Sequence, residues 1–168
     1  GGKFDYNGQN YTYPDTKIVW WAGGNPFHHH QDLNRLLKAW EKPDTIISNE
    51  WCWNALAQPS DIILPCTTSL ERSDLSLTPK DPYLIVMDKA VEPVGEAKDD
   101  HDIFKLLAKV MGVEERFTEK KSPEEWQKWM YDISRQSAAK EGVELPSWDD
   151  FKKAGWFKVP ALDEPTVM

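Results

Sequence analysis

Four short runs of β-branched and aromatic residues recur along the first half of the chain, and glycine or proline directly follows two of them. Their length and composition are typical of buried strands, which we predict at residues 17–22, 45–48, 61–64 and 83–87. Apolar residues from Leu33 to Trp40 recur at the spacing of an amphipathic helix. A second short helix is predicted at residues 51–58. Strands that alternate with helices predict an α/β fold, with a mostly parallel, Rossmann-like, doubly wound sheet and helices on both faces.

The later part of the chain is predicted to be helical. Apolar residues from Ile103 to Val110 keep the helical spacing. Ser122 and Glu125 form a capping box, and Ser147 opens a further helix. The helix after the capping box carries an apolar stripe that we interpret as core packing. The stripe consists of Trp126, Trp129, Met130 and Ile133.

The length of 168 residues suits one domain. We predict a single α/β domain over residues 1–168, with an extended arm or hairpin at 1–16 and a helical extension at 113–168. The chain begins with two glycines and not with methionine, so we expect it to be a processed protein or a piece of a longer one.

The charge of the chain excludes some partners. The net charge is −8 with no cluster of lysine or arginine, so we expect no binding to nucleic acid. An anionic ligand would have to be bound by backbone N–H groups and helix N-termini. No apolar run is long enough for membrane insertion by this segment. Cys52 and Cys66 form no metal-binding motif, and we interpret them as small core hydrophobes.

The turn after the first predicted strand contains Gly23, Gly24 and Asn25. Two glycines let a backbone turn sharply and approach a ligand without a Cβ in the way. Asn25 can cap the next turn, and Pro26 suits its first helical position. The turn has neither the GxGxxG nor the P-loop pattern. A ligand-binding turn and a plain strand-to-helix turn both remain open from these residues alone.

Three consecutive histidines follow, at positions 28–30. Adjacent positions on a helix or a strand point in different directions, so the three side chains do not converge on one metal ion. We therefore predict no metal site here and favour single polar contacts from one histidine ring.

Three further loops carry polar residues where parallel sheets bind ligands. Asn49 and Glu50 follow the second predicted strand, about 20 residues beyond the glycines, where nucleotide-binding folds place a ribose acceptor. Arg72 ends a hydroxyl-rich loop after the third strand, and an acidic loop around Asp100 precedes a helix. Ordinary turn, cap and helix-dipole chemistry would also explain these residues. No catalytic motif is present, and we predict no catalytic residue.

Four stretches of the chain resemble the molybdopterin oxidoreductases of the dimethyl sulfoxide reductase family. They read WAGGNPFHHHQDLNRLLKAW, TIISNE, SDIILPCTTSLERSDL and VGEAKDDHDIF. The resemblance is strongest to the trimethylamine N-oxide, dimethyl sulfoxide and biotin sulfoxide reductases. It implies a domain that binds one of two molybdopterin guanine dinucleotides, in an enzyme that reduces N-oxides or S-oxides by oxygen-atom transfer.

The resemblance also implies the residues that contact the cofactor. Asp100 matches the acid that reads the guanine, although Asp99 and Asp102 are close neighbours. Cys66 departs from the family, whose members often have alanine there. The full set of implied cofactor-binding residues is Asn25, His29, Gln31, Asn49, Glu50, Arg72 and Asp100.

The resemblance implies that the molybdenum ligand lies outside this segment. We therefore expect the isolated segment to be inactive and to hold no molybdenum cofactor alone, but to bind guanine nucleotides weakly. The implied partners are the remaining domains of a bacterial parent enzyme and a cytochrome or other electron donor, with the periplasm favoured over the cytoplasm. The alternative is a stand-alone nucleotide-binding or interaction module without molybdenum.

Overall fold

The computed structural model of the chain describes residues 1–76 and 81–160. The contacts of the chain divide it into two units, Gly1–Cys66 and Thr67–Met168. This division does not coincide with the boundaries predicted from the sequence, an arm at residues 1–16 and an extension at 113–168. That domain organisation stays a prediction.

The first unit contains a parallel sheet of three strands, in which Thr45–Glu50 lies between Ile18–Ala22 and Ile62–Pro65. A two-stranded antiparallel hairpin precedes it in the chain. The elements are β1 (Lys3–Tyr6), β2 (Gln9–Thr12), β3 (Ile18–Ala22), α1 (Pro26–His29), α2 (Leu33–Trp40), β4 (Thr45–Glu50) and β5 (Ile62–Pro65). The predicted α/β character with a parallel sheet is therefore confirmed, and so are the first three predicted strands and the helix that ends at Trp40.

Two details of the first unit differ from the sequence predictions. Strand β4 continues through Asn49 and Glu50, which were predicted to lie in the loop behind it. The predicted helix at residues 51–58 does not form, since this segment contains only bends and turns. Asn54 accounts for the turn, because its Oδ1 accepts hydrogen bonds from the backbone N–H groups of Leu56 and Ala57. This is the hydrogen-bonding pattern of a helix N-cap, but Pro59 lacks the backbone N–H that would continue the helix, so only one turn forms.

The second unit contains an antiparallel sheet with the strand order β6-β7-β8. Strand β7 (Tyr83–Met87) forms where a strand was predicted, but it pairs with β6 (Asp74–Ser76) and β8 (Trp156–Lys158) instead of extending the parallel sheet. Only six residues separate β6 from β7. A parallel crossover needs about a dozen residues or more, whereas a short connection joins antiparallel neighbours.

Four helices complete the second unit in the described part of the chain. Their bounds are α3 (Asp100–Val110), α4 (Glu114–Thr118), α5 (Pro123–Lys140) and α6 (Trp148–Ala154). The capping box at the start of α5 is present, with Glu125 N–H donating to Ser122 Oγ and Ser122 N–H donating to Glu125 Oε2. Helix α6 ends at Gly155, which adopts a left-handed conformation with φ of 78°.

An aromatic cluster forms the core of the second unit. Its buried members are Tyr131, Leu145, Trp148 and Phe151. Tyr131 and Phe151 stack with parallel rings whose centroids are 4.7 Å apart. Side chains of β6, β7 and β8, among them Leu75, Leu84 and Phe157, pack against this cluster. Burial of these rings fixes α5 and α6 against the antiparallel sheet.

The tryptophan-rich stripe of α5 is not the core, contrary to the prediction. Trp129, Met130 and Ile133 are 48%, 48% and 43% exposed. The buried face of α5 instead carries Gln127 and Tyr131. The periodicity predicted the helix correctly, but it could not tell which face meets the rest of the unit. Part of the stripe is therefore available for another role.

Cys52 is exposed, so its interpretation as a core hydrophobe is wrong, whereas Cys66 is half-buried. Cys52 belongs to the bend that replaces the predicted helix. No helix in residues 1–76 and 81–160 is long and apolar enough to cross a membrane.

Candidate functional site

The turn between β3 and α1 has an open backbone. Gly23 and Gly24 both adopt positive φ angles, 76° and 70°, and a Cβ built on either would meet no atom within 4 Å. L-residues with side chains rarely adopt this conformation, so the turn requires glycine. Asn25 caps α1, because its Oδ1 accepts a hydrogen bond of 3.0 Å from Phe27 N–H. Its Nδ2 is buried without a hydrogen-bond partner among the described residues.

The end of β4 lies beside this turn. In the parallel register Ala22, the last residue of β3, pairs with Asn49, and Glu50 pairs with Pro65 of β5. The sheet therefore brings the glycine turn and the predicted pair of polar residues to one edge. This edge is formed by the carboxyl ends of three parallel strands, where α/β sheets bind ligands.

Both polar residues at the end of β4 are buried and hydrogen-bonded. Asn49 Oδ1 accepts a hydrogen bond of 3.0 Å from Trp20 Nε1. Glu50 Oε2 accepts one of 2.7 Å from Asn54 Nδ2. A buried carboxylate needs such partners to offset the loss of water. The fold thus holds an acid in a defined position at the sheet edge.

His29 and Gln31 follow the glycine turn in the chain and lie at the surface. His29 is the last residue of α1, and Gln31 lies in the link to α2. Both are exposed, as are the other two histidines of the run. Within residues 1–76 and 81–160, no group of three or more histidine, cysteine or acidic side chains is placed to hold a metal ion. The cofactor contacts predicted for His29 and Gln31 stay predictions.

In the second unit, the carboxylate of Glu71 stabilises the loop that follows β5 through hydrogen bonds. Its carboxylate accepts hydrogen bonds from the backbone N–H and the hydroxyl of Thr68, at 2.7 and 2.9 Å. A third hydrogen bond of 2.8 Å comes from Val94 N–H. The two backbone bonds and the hydroxyl bond hold the pKa of Glu71 below its usual value of 4.5, because they favour the charged carboxylate. The ionised side chain therefore locks two loops together.

Arg72 is positioned by the same loop. Its Nη1 donates to the backbone carbonyl of Thr67 at 3.1 Å, and its Nη2 lies 3.3 Å from Asp74 Oδ2. Thr67 in turn donates its hydroxyl to Asp99 Oδ1 at 2.5 Å. These contacts connect the loop to the beginning of α3. The sequence had suggested that Asp100 lies in the loop before α3. In the structure it is the first residue of that helix.

Arg72 and Asp100 line the same open cavity of about 420 Å³, which lies entirely within the second unit. This volume falls in the range of about 300–1,000 Å³ that is usual for small-molecule sites. Two more carboxylates, Asp74 and Asp99, lie on its polar side. With three carboxylates and one guanidinium, the polar side of the cavity favours a ligand that presents N–H donors and disfavours a phosphate.

The opposite side of the cavity comes from residues that the sequence did not predict as site residues. Phe117 of α4 contributes an aromatic ring, and Trp126, Gln127 and Met130 of α5 complete the wall. A signal was present, because Trp126 and Met130 belong to the apolar stripe that was interpreted as core. Only the structure separates a stripe that faces a cavity from one that faces the core.

A parallel sheet with a glycine turn and a buried acid at its carboxyl edge is an arrangement that is typical of ligand-binding α/β proteins. The chain belongs to the molybdopterin oxidoreductase family, whose model matches residues 6–110. The resemblance seen in the sequence is thereby confirmed. The matched residues include both the strand edge of the first unit and the polar side of the cavity in the second.

Several curated relatives match most or all of the chain. A biotin sulfoxide reductase of Cereibacter sphaeroides is 40% identical over 169 residues, covering 100% of this chain. A dimethyl sulfoxide/trimethylamine N-oxide reductase of the same organism is 43% identical over 97% of the chain. A trimethylamine-N-oxide reductase of Haemophilus influenzae is 48% identical over 90%. The chain spans only 18% to 23% of the length of these relatives.

A solved structure shows a similar fold. It is acetylene hydratase from Pelobacter acetylenicus, which matches 88% of this chain with a TM-score of 0.62. The chain covers 19% of that protein, and the sequence identity is 24%. At this identity the likeness concerns the fold alone.

The family implies a molybdenum–pterin cofactor, and the residues of the first unit fit part of such a group. The two open glycines leave room for a ligand to approach the backbone. The buried Nδ2 of Asn25 lacks a partner among the described residues, which is the kind of group that a bound ligand satisfies. Both features lie at the carboxyl edge of the parallel sheet.

Proposed function

We propose that this chain is the dinucleotide-binding segment of a molybdenum-dependent N-oxide or S-oxide reductase. In this proposal it binds one of two molybdopterin guanine dinucleotides, and its parent reduces trimethylamine N-oxide, dimethyl sulfoxide or biotin sulfoxide. The relatives are reductases of these compounds, which supports this substrate class. The parallel register that joins the glycine turn to Asn49 and Glu50 carries the proposal, because it provides the binding edge that a dinucleotide requires.

Each unit would contribute a different kind of contact. At the strand edge, the backbone of Gly23 and Gly24 would approach the phosphates, since the acidic chain has no lysine or arginine cluster for them. Glu50 would accept a hydrogen bond from a ribose hydroxyl. In the cavity of the second unit, Asp100 would accept N–H donors from the guanine edge. Arg72 lines the same cavity as Asp100 and would offset part of the charge of the carboxylates.

When bound, the molybdenum of such a cofactor supplies two-electron redox chemistry. The residues of this chain would hold and orient the organic part of the group and would exclude water from it. Asn25, His29 and Gln31 would add polar contacts around the glycine turn. No residue of the chain is assigned to the chemical step, so the isolated chain should not turn over substrate.

The proposal extends to the setting of the segment. The parallel sheet would belong to a Rossmann-like, doubly wound sheet, and the remaining domains of the parent would be its main partners. A cytochrome or another electron donor would serve the parent enzyme, and we propose a periplasmic location for it.

The base preference of the chain tests this proposal. Titration calorimetry would compare guanosine monophosphate with adenosine monophosphate on the 168-residue chain. We expect tighter binding of the guanosine nucleotide. In Asp100→Asn the preference should fall about ten-fold, because a hydrogen bond to a charged acceptor contributes about 1.5–3 kcal/mol.

Asp102→Asn provides the matched control. Asp102 lies in the same first turn of α3, with its side chain 53% exposed, but it does not line the cavity. This variant should bind both nucleotides as the unmodified chain does. Equal binding of the two nucleotides, unaffected by Asp100→Asn, would contradict the guanine assignment.

A further inference from the structure

The cavity that contains Asp100 is completed by a part of the chain outside the family match. The family model ends at residue 110, whereas Phe117, Trp126 and Met130 of the cavity wall come from α4 and α5. The polar residues of the cavity thus lie within the segment that the family model matches, and the apolar residues come from the helices that follow it, which the curated relatives also match. The two groups of residues differ in chemistry.

The aromatic side chains of this wall are held in place by specific contacts. Phe117 packs against the ring of His101, with centroids 5.5 Å apart. Trp126 Nε1 donates a hydrogen bond of 3.2 Å to the backbone carbonyl of Thr118. The ammonium of Lys121 lies 4.3 Å from the centroid of the Trp126 ring and covers part of the indole. The protein thus provides an acceptor for the indole N–H and covers part of the ring. The remaining apolar surface of Trp126 borders the cavity.

Two side chains of α5 hold the helix in place. Gln127 Nε2 donates a hydrogen bond of 2.9 Å to the carbonyl of Ser73, next to Arg72 and Asp74 of the polar side. One turn further on, Tyr131 is buried in the aromatic core cluster. Because α5 is fixed by Gln127 and Tyr131, the wall has a defined distance from the carboxylates. A rigid site with one polar and one aromatic side suits a flat heterocycle.

We propose that α4 and α5 form an aromatic wall for the heterocycle whose polar edge Asp100 binds. In this arrangement Phe117 and Trp126 contact the ring of the ligand, and Met130 fills the space beside them. The helical segment after residue 110 is then a binding element and not only a structural extension. This inference rests on the proposed function, since it assigns further residues to the same site.

The chemistry of the cavity selects the class of ligand. The carboxylates favour ring N–H and amino groups, and the aromatic wall favours a planar π-system. A purine with an amino edge meets both conditions, whereas a phosphate or a sugar meets neither. Stacking of a base on an aromatic side chain contributes enough to change affinity by about ten-fold.

The test uses the 168-residue chain with guanosine monophosphate, and ribose 5-phosphate as a probe without a base. We expect Trp126→Leu and Phe117→Leu each to weaken binding of guanosine monophosphate about ten-fold, by loss of one aromatic contact. Binding of ribose 5-phosphate should stay unchanged. Trp129→Leu is the matched control, because Trp129 lies on the same helix, contacts Trp126 and does not line the cavity.

A conservative variant guards against loss of folding. Trp126→Phe keeps an aromatic ring and should retain most of the affinity, but the quenching of tryptophan fluorescence by the nucleotide should fall. Trp129→Phe should leave that quenching unchanged. If the leucine variants bind normally while Asp100→Asn loses affinity, the aromatic wall is wrong and the proposed function stands. If the unmodified chain shows no preference for the guanosine nucleotide, both proposals fail.

Discussion

Replacement of Phe151 by alanine tests the energetic role of the aromatic cluster. Phe151 is 1% exposed and stacks on Tyr131 at 4.7 Å, and its ring lies 6.4 Å from that of Trp148. Removal of a fully buried aromatic ring costs about 3–5 kcal/mol, because transfer energy is lost and a cavity remains. Typical domains have a total stability of about 5–15 kcal/mol. The variant should therefore lose a large part of the stability of Thr67–Met168.

Urea unfolding measures this loss. With a dependence of roughly 1–3 kcal/mol per molar urea, the midpoint for the second unit should fall by roughly 1–5 M. Native-state hydrogen exchange at the amides of α5 and α6 reports this unit separately from Gly1–Cys66. Because Tyr131 follows Met130 on α5, the same variant should also loosen the cavity wall and weaken nucleotide binding.

Ile133→Ala serves as the control for this experiment. Ile133 lies on the same helix as Tyr131 but is 43% exposed, so its truncation should cost less than about 1 kcal/mol. A loss of less than about 1 kcal/mol in Phe151→Ala would refute the assignment of the cluster as the core of this unit. An equal loss in both variants would refute it as well.

Two further predictions concern local interactions of the second unit. The pKa of Glu71 lies below its usual value of 4.5, so its contribution to stability is present above that value and is lost as the pH falls through the lowered pKa. Glu71→Gln should therefore lower the melting temperature at neutral pH and flatten its dependence on pH in the acidic range, and an unchanged acid profile would contradict this. Ser122→Ala should destabilise α5 by about 1 kcal/mol through loss of the N-cap, measured by urea unfolding. Ser134→Ala, within the same helix, should stay within about 0.5 kcal/mol of the unmodified chain, and equal effects of the two serine variants would argue against the cap.

Sequence patterns predicted the local elements better than their assembly. The run that became β3 and the capping box at Ser122 depend on neighbouring residues, and both appear as expected. The partners of β7 depend on the length of its connection to β6 and on a short strand at Trp156–Lys158, which is too short to stand out in the sequence. The strand order of the second sheet therefore depends on pairing between strands that are distant in the sequence, which local patterns do not predict.

The candidate site was predicted in part for the same reason. Asn49 and Glu50 were found because parallel strands place their carboxyl ends at one edge, although the strand itself proved two residues longer. Trp126 and Met130 were assigned to the core because an apolar stripe on a helix is usually buried. The buried face of α5 instead contains Gln127 and Tyr131, which hydrophobicity alone would not select together. The cavity wall could be recognised only once α5 was placed.

An NMR titration of the 168-residue chain with guanosine monophosphate tests the central claim most directly, because it detects weak binding at individual residues. The account predicts chemical-shift changes at the amides of Gly23, Gly24 and Glu50 in the first unit, and at Asp100 and Phe117 in the second. Adenosine monophosphate should shift Asp100 and Phe117 less at the same concentration, because adenine stacks on the wall but offers Asp100 fewer N–H donors than guanine. The absence of shifts at both groups of residues, or shifts confined to the exposed histidines at positions 28–30, would contradict the assignment of this chain as a guanine-dinucleotide-binding segment.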